Sequence, residues 1–200
     1  MFRSPPASRA GSGLPRAREP SGHRLLVVPV GALPPHLVER AVAVAHQVLG
    51  FSAAPSAAIV SPDPYLDARR RQYRADQLMA ALKPLAQPPG TTVLGLTTVD
   101  LFLPVLTYVF GFAELGGTVA LVSTHRLDPQ FDGRPADPGL TLERAEKEIL
   151  HELGHVLGLR HCPDRRCVMA SAHDTADVDL EEPSFCRTCR GMIQQHPEAR

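Results

Sequence analysis

Three histidines and a glutamate within eleven residues, His151, Glu152, His155 and His161 in HELGHVLGLRHC, combine side chains that bind a transition metal with one that can move a proton. On a helix, His151 and His155 lie one turn apart on the same face, about 6 Å between Cα atoms. Both imidazoles can then reach a single tetrahedral Zn²⁺. Glu152 is rotated roughly 100° from His151 about the helix axis and leans past the metal toward the water in the open position, which makes it a base candidate and not a ligand. On an uninterrupted helix His161 would sit about 15 Å beyond His151 and out of reach. Gly158 removes that obstacle, because glycine at a helix C′ position adopts positive φ cheaply and lets Leu159, Arg160 and His161 fold back under the metal. The chemistry is hydrolysis: the metal lowers the pKa of its water toward ~7 and polarises a carbonyl, while Glu152 takes a proton and returns it to the leaving group. A bare HExxH is a moderate signal with many false positives; HExxHxxGxxH followed eight residues later by Met169 is far more specific.

All four cysteines follow, as Cys162 and Cys167, then Cys186 and Cys189 in FCRTC, spaced C-x4-C and C-x2-C. That is the arithmetic of a structural Cys₄ zinc site. Two disulfides are the rival reading. The N-terminus has no apolar h-region, so the expectation is a cytoplasmic protein whose reduced thiolates hold zinc, giving two zinc ions per chain, one catalytic and one structural. If His161 and Cys162 share an extended segment their side chains point to opposite sides, and one strand serves two metals about 10 to 15 Å apart. No cysteine precedes the histidine motif, so latency through a thiol on the catalytic metal is not expected.

The order HExxHxxGxxHC, C-x4-C, C-x-M and a distant C-x2-C resembles the archaemetzincins, a branch of the metzincin metallopeptidases that carries a Cys₄ zinc beside the catalytic one. The resemblance is specific over residues 151–189 and continues more weakly through RRRQYRADQL at 70–79, LGLTTVDLF at 94–102 and YVFGFAELGGTVALVSTHRL at 108–127. It implies that His151, His155 and His161 bind catalytic zinc, that Glu152 is the general base and that Met169 floors the site in a Met-turn. It further implies that Cys162, Cys167, Cys186 and Cys189 bind structural zinc. The implied architecture is α/β, a metzincin-like zincin fold with a mixed twisted sheet, helices above the cleft and a zinc-stapled irregular C-terminal subdomain. Two departures from the family pattern, a slightly short Met169–Cys186 gap and the small Ala170 and Ser171, bear on loop and pocket shape and on no ligand.

The elements that must position these residues are legible as patterns. Thr141 as N-cap, Glu143 in the first turn and Leu142, Ala145, Ile149, Leu153 and Val156 on one face predict a helix over about Leu142–Leu157. Upstream, Leu25–Val30 reads as a strand. Pro35 opens a helix with Leu37, Ala41, Val44, Ala45 and Val48 inward, closed by Gly50. Ala57–Val60 reads as a short strand, Asp67–Leu85 as a helix with Leu78, Met79 and Leu82 inward, and further strands are expected at about 92–97, 108–113 and 118–123. Arg69, Arg70, Arg71 and Arg74 form the one basic cluster outside the N-terminal tail, expected as a solvated, ion-paired helix face. Residues 1–22, rich in Pro, Gly, Ser and Arg, read as a disordered tail, with a mitochondrial transit peptide as the lesser alternative. Residues 23–200 then form one domain, an upper sheet and helix part over 23–158 and a lower cysteine-zinc part over 159–200.

With 44% apolar residues in 200 and zero net charge, the chain can bury one sizeable core and has no global field to recruit nucleic acid or anionic membrane. Its apolar runs fall well short of the ~20 residues of a membrane span. The expected partner is a peptide or protein substrate of a monomer. Tyr108–Ala113, if the fold resembles other metzincins, is the exposed edge strand above the metal, to which an extended peptide adds antiparallel. An ordinary core strand is the alternative, and reduced turnover without zinc loss in Phe110→Pro would favour the edge. His125, His173, Tyr108 and Arg126 are candidates for supporting groups around the site. The competing readings are a zinc-stabilised binding module without turnover and a non-peptide zinc amidase.

Overall fold

The computed structural model describes residues 23–195, so the tail expected over 1–22 lies outside the described residues, as do residues 196–200. Its elements run β1 (Arg24–Val30), α1 (Pro35–Val44), β2 (Ser52–Pro55), β3 (Leu66–Asp67), β4 (Gln72–Arg74), α2 (Ala75–Leu82), β5 (Thr91–Thr97), β6 (Leu101–Phe102), β7 (Gly111–Ala113), β8 (Val119–Ser123), α3 (Pro138–Val156), α4 (Thr175–Leu180) and α5 (Arg187–Gln195). Five strands form one sheet in the order β2-β1-β5-β8-β7, parallel except for β7, which pairs antiparallel with β8 at the edge. The parallel strands β1, β5 and β8 are apolar on both faces because both are covered. Leu25, Val27, Leu94, Leu96, Ala120 and Val122 pack with α1 and with Ile149 and Leu153 of α3; Val28, Val30, Val93 and Leu121 pack with Leu78 and Leu82 of α2. Burying each large aliphatic side chain contributes about 1.5–3 kcal/mol, so α3 is held to the sheet by its apolar stripe. Among the described residues no helix is long and apolar enough to cross a membrane.

Four expected boundaries shift. The helix α3 begins a turn earlier than the pattern suggested: Asp137 caps it, its carboxylate accepting from the Leu140 amide at 3.0 Å, and Pro138 occupies the first turn. Thr141 is inside the helix, its hydroxyl donating to the Asp137 carbonyl. The helix expected over Asp67–Leu85 is α2 continued by a 3₁₀ turn over Lys83–Leu85, and a hairpin takes the place of its first part. There the Asp67 carboxylate accepts from the amides of Arg69 and Arg70, and Arg71 takes φ 54°, which wins over the helical pattern. The strand expected at Ala57–Val60 is a single bridge of Val60 to Val30; the pairing partner of β1 is instead Ser52–Pro55, whose alanines have little intrinsic strand preference. The strand expected at 108–113 is shortened to Gly111–Ala113.

The C-terminal region is tied to α3 by buried polar contacts. Arg144, 1% exposed, donates to both carboxylate oxygens of Asp179 in α4 at 2.7 and 2.6 Å and to the Leu127 carbonyl. Lys147 donates to the Val178 carbonyl and pairs with Glu143. These bonds fix the segment after Met169 beneath the helix that carries His151 and His155.

Candidate metal centres and the cleft between them

The turn after α3 has the geometry that the third histidine requires. Gly158 adopts φ 84°, its amide donates to the His155 carbonyl, and the Leu159 amide donates to the Gly154 carbonyl, both at 2.9 Å. This is a Schellman closure with glycine at C′. The chain reverses and His161 joins His151 and His155, with one nitrogen of each within 4.8 Å of the others. The Cys162 amide donates to the Met169 carbonyl at 2.7 Å, which joins the returning segment to the methionine turn. Met169 is fully buried beneath Gly154, where a Cβ would overlap its sulfur.

Hydrogen bonding orients two of the imidazoles. Nδ1 of His151 lies 2.8 Å from the Val168 carbonyl and Nδ1 of His155 lies 2.7 Å from the Leu159 carbonyl. A carbonyl only accepts, so both Nδ1 atoms carry the proton and both Nε2 atoms present lone pairs, 3.0 Å apart. Burial, followed by the proximity of His155, lowers His151 to about 3, and burial lowers His155. Neutral imidazoles converging by their lone pairs fit a metal ion.

Glu152 stands beside them. It is buried, and its Oε2 has no hydrogen-bond partner among the described residues. Burial first, and Glu148 second, raise its carboxyl well above the usual carboxylate range. Such a group holds a proton readily, and a cation among the imidazoles would draw it back toward ionisation. Directly opposite, β7 passes so close that a Cβ on Gly111 would stand 2.5 Å from Glu152 Oε1.

All four cysteines are free, and their sulfurs also fall within 4.8 Å of one another. They converge on one point instead of forming two separate pairs. The Cys186 thiol is drawn down to about 7, chiefly by the Cys189 amide, whereas burial pushes Cys167 and Cys189 up. A divalent cation relieves the repulsion that otherwise prevents four neighbouring thiols from ionising together. His161 faces one cluster and Cys162 the other, so adjacent residues contribute to both.

A cleft of about 890 Å³ runs between β7 and α3, bordered by Glu148, His151, Glu152, His155 and His161 and, below, by Ser171, Ala172 and His173. Of the supporting groups considered from sequence, Tyr108 and His173 border it, the Tyr108 hydroxyl donating to the His173 carbonyl. Arg126 and His125 do not. Arg126 forms an ion pair with Asp100 and stacks 4.1 Å from the Tyr108 ring, and His125 Nδ1 meets the Thr98 carbonyl. Within the basic cluster, Arg70 donates to the Leu106 and Thr107 carbonyls and stacks on Phe102, while Arg74 pairs with Asp76. These arginines brace a hairpin and not a helix face. Glu148, which the apolar pattern of α3 passes over, is the cleft residue missed in the sequence; its position one turn before Glu152 was the available signal.

The profile of Peptidase family M54 matches residues 56–195. The archaemetzincin of Thermococcus kodakarensis is 34% identical over 183 residues, 87% of this chain and 97% of its own length. That of Pyrococcus furiosus is 42% identical over 130 residues, 64% of this chain and 68% of its own. The crystal structure of the Methanopyrus kandleri archaemetzincin superposes with a TM-score of 0.74 at 35% identity, covering 92% of this chain and 98% of that one. The Archaeoglobus fulgidus archaemetzincin, crystallised with malonate, gives 0.73 at 34% identity, covering 84% and 99%. With the fold shared and both ligand constellations inside the matched span, this chain belongs to peptidase family M54, the archaemetzincins, and is a zinc metallopeptidase.

Proposed function

We propose that His151, His155 and His161 hold the catalytic zinc, that Glu152 carries the proton in peptide-bond hydrolysis, and that Cys162, Cys167, Cys186 and Cys189 hold a second, structural zinc. The observation that carries this reading is the pair of Nε2 lone pairs facing each other at 3.0 Å, an arrangement that is unfavourable without a cation. Zinc bound there would supply an acidified water and a polarised scissile carbonyl. Glu152 Oε2, buried and unpartnered, accepts the water's proton and delivers it to the leaving amine, so hydroxyl ends on the acyl carbon and hydrogen on nitrogen. The cleft edge at β7 aligns the peptide main chain. Residues 23–158 act as the upper part and 159–200 as the lower, cysteine-zinc part of one domain after a tail over 1–22. We read the protein as a monomer acting on peptides without nucleic acid or membrane, and free thiols fit the cytoplasm.

Elemental analysis of reduced protein should give two zincs per chain, falling to one in a His151→Ala, His155→Ala double variant. Glu152→Gln should keep both and lower peptide turnover by about a hundredfold or more. One zinc in the wild type overturns the two-centre reading, and undiminished turnover in Glu152→Gln overturns its role as base. Binding without turnover in the wild type would instead favour the non-catalytic module, and turnover confined to non-peptide amides the amidase.

A further inference from the structure

The cleft contains a carboxyl that hydrolysis does not use. Glu148 lies one turn before Glu152 on α3, about 6 Å along the helix axis. It is 5% exposed and borders the cleft, and among the described residues it has no hydrogen-bond or ion-pair partner. The cations nearest in sequence are engaged elsewhere, Lys147 with Glu143 and the Val178 carbonyl, Arg144 with Asp179. Glu152 and Glu181 both feel Glu148 electrostatically, and both are acidic. Unlike Glu152 Oε2, its oxygens are not sealed from solvent, so the nearly buried carboxyl opens into the cleft with no described side chain paired to it.

The surroundings describe what would satisfy it. Gly111 lies over Glu152 and Gly116 bonds the His155 carbonyl, so the backbone of residues 108–110 leads away from the histidines toward the Glu148 end. There Phe110, with Tyr108 and Ala172 packed against the same cluster, presents apolar surface to the cleft, and the Tyr108 hydroxyl bonds the His173 carbonyl. Apolar walls leading to a carboxyl suit an alkyl stem with a cationic tip, because the stem packs and the tip pairs. One helical turn between Glu152 and Glu148 matches the reach of a four-carbon stem that starts beside the scissile carbonyl.

Building on the peptidase reading, we propose that Glu148 is a specificity-determining residue that receives the lysine or arginine side chain of the substrate residue adjoining the scissile bond. Burial raises the unpartnered Glu148 carboxyl to about 8, and an arriving cation favours its ionised form.

The test uses fluorogenic peptides identical except for lysine, arginine, norleucine or glutamate on either side of the scissile bond. In the zinc-loaded wild type, kcat/KM for the lysine and arginine peptides should exceed that for norleucine by about tenfold or more. Glu148→Gln should bring that ratio to about one, and Glu148→Leu should invert it in favour of norleucine. No discrimination in the wild type, or an equal loss across all four peptides in Glu148→Gln, overturns the proposal. Calorimetric binding of the same peptides to Glu152→Gln and to Glu152→Gln/Glu148→Gln, with zinc content and melting temperature matched, separates this from failure of the peptidase reading. Lysine selectivity present in the first and lost in the second upholds the role of Glu148 even if no peptide is cleaved; equal affinities in the first retire it.

Discussion

Gly111 and Glu152 lie forty-one residues apart in sequence, yet the absence of one carbon at position 111 sets where the carboxylate sits. Gly111→Ala would drive Glu152 from its place, and displacement of a catalytic group by about 1 Å costs about a hundredfold in rate. We therefore expect a fall of that size in kcat with zinc content unchanged, measured by peptide turnover beside elemental analysis. An undiminished kcat would mean that Glu152 accepts the shift without loss. The ligands themselves are readable in the sequence because helix geometry and one glycine turn relate them locally. Gly111 is not, since its reason lies across the cleft. Glu148 was hidden differently: the apolar periodicity of α3 treats Arg144, Lys147 and Glu148 as outward, whereas all three are buried by polar or cleft-facing environments.

The edge strand β7 is the element to which the proposed substrate alignment is assigned. The Phe110 carbonyl accepts from the Ser123 amide and the Glu114 amide donates to the Val119 carbonyl, so even-numbered residues bond to β8. The backbone groups of Gly111 and Ala113 consequently face outward. Phe110 is a poor probe, because its side chain packs with Leu37, Leu127, Ala145 and Val178. Ala113→Pro removes an outward amide and leaves the ladder intact. It should lower peptide kcat/KM by about tenfold, the equivalent of one hydrogen bond of about 1.4 kcal/mol, while the melting temperature changes little. Turnover equal to wild type would show that substrate does not pair with this edge. At this scale the central strands were legible as apolar runs. The hairpin at Asp67–Arg74 was not, because a side chain capping two amides outcompeted a pattern that otherwise reads as helix.

For the whole molecule, composition indicates that the chain can bury a sizeable core, and apolar clusters cover both faces of the five-stranded sheet; what composition could not foretell is how much acid the fold buries. Burial holds Glu148 and Glu181 near 8 in the zinc-free protein, above their usual 4.5, so their contribution to stability is complete below about pH 4.5 and is lost as pH rises toward 8. His151, lowered from 6.5 to about 3, acts in the opposite sense, with stability lost as pH falls through that interval. Between pH 6.5 and 8 the buried carboxyls Glu148, Glu152 and Glu181 outweigh the one opposing group, the Cys186 thiol drawn down to about 7, and each lowers stability by at most about 1.4 kcal/mol per pH unit. Urea midpoints of chelator-stripped protein at the two pH values check this, with Glu148→Gln flattening the slope; a midpoint that rises would refute it. The position of α3 has a consequence for biosynthesis. The last strand of the sheet ends at Ser123, before any of the clustered histidines and cysteines has been added to a growing chain. Until α3 follows, the face formed by Leu25, Val27, Leu94, Leu96, Ala120 and Val122 has only α1 to cover it. The helix that seals this face also delivers His151 and His155, so the nascent polypeptide completes its core and gains two of its three clustered histidines in the same step of elongation.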